Sequence, residues 1–195
     1  KVRTETSMGR RAVSVSSAAL ELARTRLGSL AEKSVVVLGL GKMGQICVKH
    51  LLSEGGSGAV VLLNRNQERI TAFLKSKLNN KEKIKSGFDF SERTALAAQA
   101  DLVIVSTGAD EPVLDAKSLS AHRHAGSPEQ LIIDISVPRN VEPAVASLEK
   151  VNLAHADDLA EIVTRNKAER EAIVFGAESI VYDLFEDYHN WLRSQ

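Results

Sequence analysis

Six residues constrain this chain more than any others: Gly39-Leu40-Gly41-Lys42-Met43-Gly44, in which glycine recurs as G-x-G-x-x-G. Ser34-Val35-Val36-Val37-Leu38 stands directly in front, an apolar β-branched run that reads as a strand buried on both faces. Behind it, Ile46, Val48, Leu51 and Leu52 lie on one helical stripe, which Gly55-Gly56-Ser57-Gly58 brings to a stop. A strand that enters a glycine turn and opens a helix is the context in which this spacing has a mechanism. Gly39 permits the tight turn, Gly41 lets the backbone approach a pyrophosphate, and Gly44 lets the helix pack close to the strand. The N-terminus of the helix that the turn opens then offers unpaired N–H groups and a positive dipole end to phosphates.

The rest of the chain repeats the same alternation. Further strands are expected at Ala59-Val60-Val61-Leu62-Leu63, Asp101-Leu102-Val103-Ile104-Val105 and Gln130-Leu131-Ile132-Ile133-Asp134-Ile135, with Val151-Asn152-Leu153-Ala154 as a short sixth. Between 81 and 99 the pattern blurs: residues 84–90 are expected to pair weakly and Ser91 to cap a short helix. In front, Ser16 and Ser17 are expected to cap a lead-in helix that begins at Ala18 and stops at Gly28. From about Asp158 onward, Ile173, Ala177, Ile180, Leu184, Tyr188 and Trp191 recur at steps of three and four. A helix of that span would reach about 50 Å, so its far end should project. The expected architecture is α/β, a doubly wound, mostly parallel Rossmann-type sheet with a long C-terminal helix. It divides into a lead-in segment at 1–30, a dinucleotide-binding domain at 31–156 and the helix at 157–195.

Where NAD-specific domains carry an acidic residue at the end of the second strand, this chain has Asn64-Arg65. A carboxylate would repel a ribose 2′-phosphate, whereas Arg65 can grip it with a charge-assisted fork and stack on adenine. Asn64 can add a neutral hydrogen bond. The expected cofactor is therefore NADPH. Ser106, Thr107 and Gly108 leave the fourth strand, and Val137 and Pro138 the fifth, so both turns should face the ligand crevice. The first would bring hydroxyl and backbone groups to the nicotinamide ribose, the second an apolar wall, although both also read as ordinary βα turns.

No catalytic residue and no metal site emerge. Cys47, the chain's one cysteine, lies three residues past Gly44 and reads as a small core side chain. His122 and His124 flank Arg123 in what reads as a polar loop; His50, His155 and His189 are scattered over helix ends and surface. The 25 basic residues balance the 25 acidic ones, so a broad footprint for RNA is missing. With one cysteine and no membrane-length apolar stretch, a cytoplasmic location is expected, or the plastid stroma in a photosynthetic eukaryote. The start at Lys1 suggests a fragment or a processed product.

Taken in order, Arg3-Thr4-Glu5-Thr6, the glycine fingerprint, Asn64-Arg65, Ser106-Thr107-Gly108, Asp134-Ile135-Ser136-Val137-Pro138-Arg139 and Asp157-Asp158-Leu159 resemble glutamyl-tRNA reductase over nearly the whole chain. In that family a cysteine of an N-terminal domain forms a thioester with the glutamyl group of glutamyl-tRNA. NADPH reduces it to glutamate-1-semialdehyde, the entry to tetrapyrroles. The resemblance implies an NADPH-binding, hydride-supplying domain followed by the start of the family's spinal helix. The segment carrying the catalytic cysteine and the dimerisation domain are both missing, so the chain alone is expected to be inactive. Its implied partners are those domains, glutamyl-tRNA through the full-length enzyme, and a second copy meeting the C-terminal helix. Two other readings stay open: a shikimate dehydrogenase-like NADP domain, and a non-enzymatic module that binds NADPH and a partner.

Overall fold

The computed structural model describes residues 7–53, 58–124 and 126–165. Among them six strands form one parallel sheet: β1 (Val35–Leu38), β2 (Val60–Leu63), β3 (Ile84–Lys85), β4 (Leu102–Val105), β5 (Gln130–Asp134) and β6 (Val151–His155). Their spatial order is β3-β2-β1-β4-β5-β6. The chain runs outward from β1 in one direction and then restarts beside it at β4. That reversal opens a crevice at the carboxyl ends of β1 and β4, the place where such sheets take a ligand.

Both faces of the sheet are covered at its centre, which is why β1, β2 and β4 are apolar without alternation. Val35 and Val37 point into a core closed by α1 (Ser7–Leu27), α2 (Lys42–Ser53) and α3 (Gln67–Lys75). Val36 and Leu38 point into a second core closed by α4 (Arg93–Ala98) and α5 (Ala116–His122). Register between β1 and β4 is exact from Val35 opposite Leu102 to Leu38 opposite Val105, so the two glycine-bearing exits emerge level.

Several local expectations need correcting. The first helix does not begin at Ala18; α1 already runs through Ser16, which is fully buried and whose hydroxyl donates to Met43 O at 3.4 Å. The serine reads as a cap in sequence, but here it ties α1 to the start of α2. Gly28 does end the helix, in a left-handed turn at φ +72° with its N–H on Arg24 O. Ahead of the blurred stretch lies α3, over residues to which no strand or helix was assigned. Asn66 caps it by accepting from Glu68 N, and Ile70 and Phe73 bury its inner face. Asp89, not Ser91, caps the turn before α4, accepting the Ser91 N–H at 2.8 Å. His122 ends α5 and is no loop residue. After β6 a 3-10 turn (Ala156–Leu159) leads into helix at 160–165, with Asp158 accepting the His155 N–H at 2.6 Å. The stripe from Ile173 to Trp191 lies outside the described residues.

Candidate functional site

The fingerprint turn is shaped by two glycines and leaves room at the third. Gly39 sits at φ +94°, and a Cβ there would fall 2.2 Å from Ser106 O, so the loops leaving β1 and β4 touch backbone to backbone. A Cβ on Gly44 would lie 2.2 Å from Gly39 O, which closes the first turn of α2 against the loop. A Cβ on Gly41 meets nothing within 4 Å. That open side, next to the N–H groups that the first turn of a helix cannot pair internally, is a cradle of the kind a phosphate fills.

Asn64 holds this turn from β2. Its side-chain oxygen accepts the Leu40 N–H at 3.0 Å and its amide nitrogen donates to Asn66 O at 2.8 Å. The amide that sequence reading offered to a phosphate is thus engaged with backbone. Leu40 is equally committed: its side chain is buried, its N–H is on Asn64, and its carbonyl accepts from Gln45 Nε2 at 3.1 Å. It contributes the path of the loop and not a free group. Met43 packs against the core and Lys42 is exposed beside the turn.

A cleft of about 260 Å³ gathers Gly39, Gly41, Asn64 and Arg65 on one wall and Ser106, Thr107 and Gly108 on the other. Four further residues line it that sequence reading did not assign to the site: Asn66, Arg69, Phe90 and Ala109. Arg69 stands on the first turn of α3. The Asn66 cap followed by Ile70, Phe73 and Leu74 at helical spacing is the signal that would have placed it. The Arg65 guanidinium carbon lies 5.6 Å from the Phe90 ring centre, and Arg93 lies 5.2 Å from it. No carboxylate lines this cleft among the described residues.

Past the switch point, Val137 and Pro138 do not line that cleft; they stand on the exposed loop after β5, with Val137 86% exposed. Two buried side chains connect this loop to the one leaving β4. Asp134 accepts the N–H groups of Ser136, Asn140 and Val141 at 3.0, 2.6 and 2.9 Å. Asn140 in turn accepts the Thr107 hydroxyl and donates to Ala109 O at 2.8 Å.

Cys47 sits on the inner face of α2, fully buried, and burial pushes its thiol up to about 11. It is turned into the core away from the crevice and is no nucleophile for a ligand bound there. No group of three or more His, Cys, Asp or Glu side chains that could hold a metal ion occurs among the described residues. No helix among them is long and apolar enough to cross a membrane.

Comparison with known proteins agrees with this fold. The family model described as Shikimate / quinate 5-dehydrogenase matches residues 21–162. The glutamyl-tRNA reductase of Synechococcus sp. (strain JA-3-3Ab) is 37% identical over 194 residues, which is 100% of this chain and 44% of that protein. The solved glutamyl-tRNA reductase of Methanopyrus kandleri superposes with a TM-score of 0.71 at 34% identity, covering 88% of this chain and 42% of that one. A shikimate dehydrogenase solved in complex with NADP+ shares the fold at a TM-score of 0.54 and 16% identity. The chain therefore spans less than half the length of the reductases it matches.

Proposed function

Because the chain belongs to the Shikimate / quinate 5-dehydrogenase family and is homologous to the NADP-binding domain of glutamyl-tRNA reductase, we propose that it binds NADPH and presents it for hydride transfer in a glutamyl-tRNA reductase-type enzyme. The observation that carries this reading is the pair Arg65 and Arg69 in a cleft that no carboxylate lines among the described residues, at the end of β2 where the adenosine ribose of a dinucleotide would lie. Two guanidinium groups there suit a 2′-phosphate, and Phe90 supports Arg65 beside the adenine position. Gly41 leaves the pyrophosphate its approach.

The nicotinamide half would lie across the switch point, over Ser106, Thr107 and Gly108, with Val137 and Pro138 as an apolar edge. NADPH supplies the hydride when bound. The chain's own residues hold the phosphates, orient the ribose and shield one side of the ring. They provide no activated sulfur for an acyl intermediate, since Cys47 is buried and protonated. Glutamyl-tRNA, the thioester-forming domain and a homodimeric partner belong to the whole enzyme under this proposal, whose location would be the cytoplasm or a plastid stroma. The decisive assay titrates NADPH and NADH against the chain and then follows semialdehyde formation from glutamyl-tRNA. Selective NADPH binding without turnover is expected. Equal affinity for the two cofactors, or turnover that vanishes in Cys47→Ser, would overturn the assignment.

A further inference from the structure

The β4 and β5 exits are joined by more hydrogen bonds than two ordinary turns require. Asn140, 0% exposed, uses every polar group it has. Its N–H donates to Asp134 Oδ2 at 2.6 Å and its carbonyl accepts Val113 N at 2.7 Å. Its side-chain oxygen accepts the Thr107 hydroxyl, and its amide nitrogen reaches Ala109 O at 2.8 Å and Glu111 O at 3.3 Å. Beside it, Thr107 N donates to Ser136 Oγ at 3.1 Å, while Ser136 N is held by the same Asp134. Asp134, also 0% exposed, therefore fixes the β5 loop through three N–H groups, and Asn140 carries that position across to the β4 loop.

We infer that Asn140, seated on Asp134, is the positioning residue for the nicotinamide half of the site: it sets Thr107 and the backbone of 106–109 without itself touching the ligand. This rests on the cofactor reading above and adds to it. Asn140 is absent from the cleft lining, whereas Thr107, Gly108 and Ala109 form it. The adenosine half depends on other elements, β2 and the first turn of α3, which Asn140 does not contact through any of these bonds. A buried, fully satisfied hub has little tolerance for looseness, since a partner left unpaired keeps its desolvation cost.

The two halves can be read separately with two probes, NADPH and adenosine 2′,5′-bisphosphate, which contains only the adenosine half. Asn140→Ala should weaken NADPH binding by about tenfold, the scale of one or two lost hydrogen bonds, with the bisphosphate unchanged. Thr107→Val should do the same and Thr107→Ser should not. The double variant Asn140→Ala with Thr107→Val should lose little more than either single variant, because both remove one linked contact. Equal loss of both ligands in Asn140→Ala would make Asn140 a residue of general stability and overturn the inference, as would unchanged NADPH affinity. A wild-type chain that binds neither probe would instead defeat the cofactor reading and this inference with it.

Discussion

The side-chain oxygen of Asn64, at the end of one strand, accepts the backbone N–H of Leu40 in the turn that follows its neighbour, at 3.0 Å. Removing it in Asn64→Ala leaves the Leu40 donor buried and unpaired, at a cost of about 1–3 kcal/mol. Denaturant unfolding should register that loss. NADPH and NADH affinity should fall together, because the turn serves both. A loss confined to NADPH would mean that the amide reaches the 2′-phosphate after all.

Arg65→Asp should act in the opposite manner. A carboxylate replaces a charge-assisted contact worth about 1.5–3 kcal/mol, so NADPH should weaken on the order of tenfold to a hundredfold while NADH holds or improves. Fluorescence titration with both cofactors separates this from a general defect. Stability should move little, since Arg65 is exposed.

Two fingerprint glycines should fail differently. Gly41→Val has no protein atom within 4 Å of its new Cβ, so the protein should fold and lose cofactor binding. Gly39→Ala forces a Cβ to 2.2 Å from Ser106 O at a positive φ and should lower the unfolding temperature markedly. Normal NADPH binding in Gly41→Val would make the loop a turn and not a site.

Cys47 gives an alkaline signature. Its thiol is raised from 9.0 to about 11 by burial, so between those values an unfolded chain loses a proton that the folded chain keeps. Stability from this group is therefore present below pH 9 and declines as pH rises toward 11. Cys47→Ala should flatten that part of the profile. Alkylation of native protein at pH 8 should be slow and should accelerate on unfolding; fast labelling in the native state would contradict the burial.

Asp101 supplies the acid counterpart at the opposite end of the sheet. Burial works to raise its carboxyl, but the Ser34 hydroxyl and N–H, both at 2.8 Å, and the nearby Lys33 outweigh that and hold it below the usual value. A depressed carboxyl stabilises above its unfolded value of 3.8 and loses that contribution as pH falls through the folded value. Asp101→Asn should cost roughly 1–3 kcal/mol at neutral pH and blunt the acid transition. Cofactor affinity should stay the same, which thermal scans with and without NADPH can check.

The parts of the fold that could be read from sequence are those where one periodicity dominates. β1, β2 and β4 are unbroken apolar runs and β5 has an apolar centre, because both their faces are buried, and α2 follows a glycine turn that announces it. α3 escaped because its buried face is only Ile70 and Phe73 over nine residues, and the Asn66 that caps it sits directly after the residues assigned to a ligand. Arg69 was lost with it. β3 has two residues and forms the sheet edge, too short to carry an alternation. Asn140 was invisible for another reason. Its partners Thr107, Ala109 and Asp134 lie up to 33 positions away, and no local spacing encodes a contact of that range.

The space around the three fingerprint glycines also bears on how related chains can diverge. At positions 39 and 44 a Cβ would collide with the protein's own backbone, so folding already demands their glycines. Position 41 is restrained only by what occupies the crevice. A descendant that abandoned its cofactor would be free to replace Gly41 while retaining the other two, keeping the architecture and discarding the chemistry. Under the proposed cofactor reading, that one side chain would distinguish, among relatives of uncertain activity, a working nucleotide site from the scaffold it leaves behind.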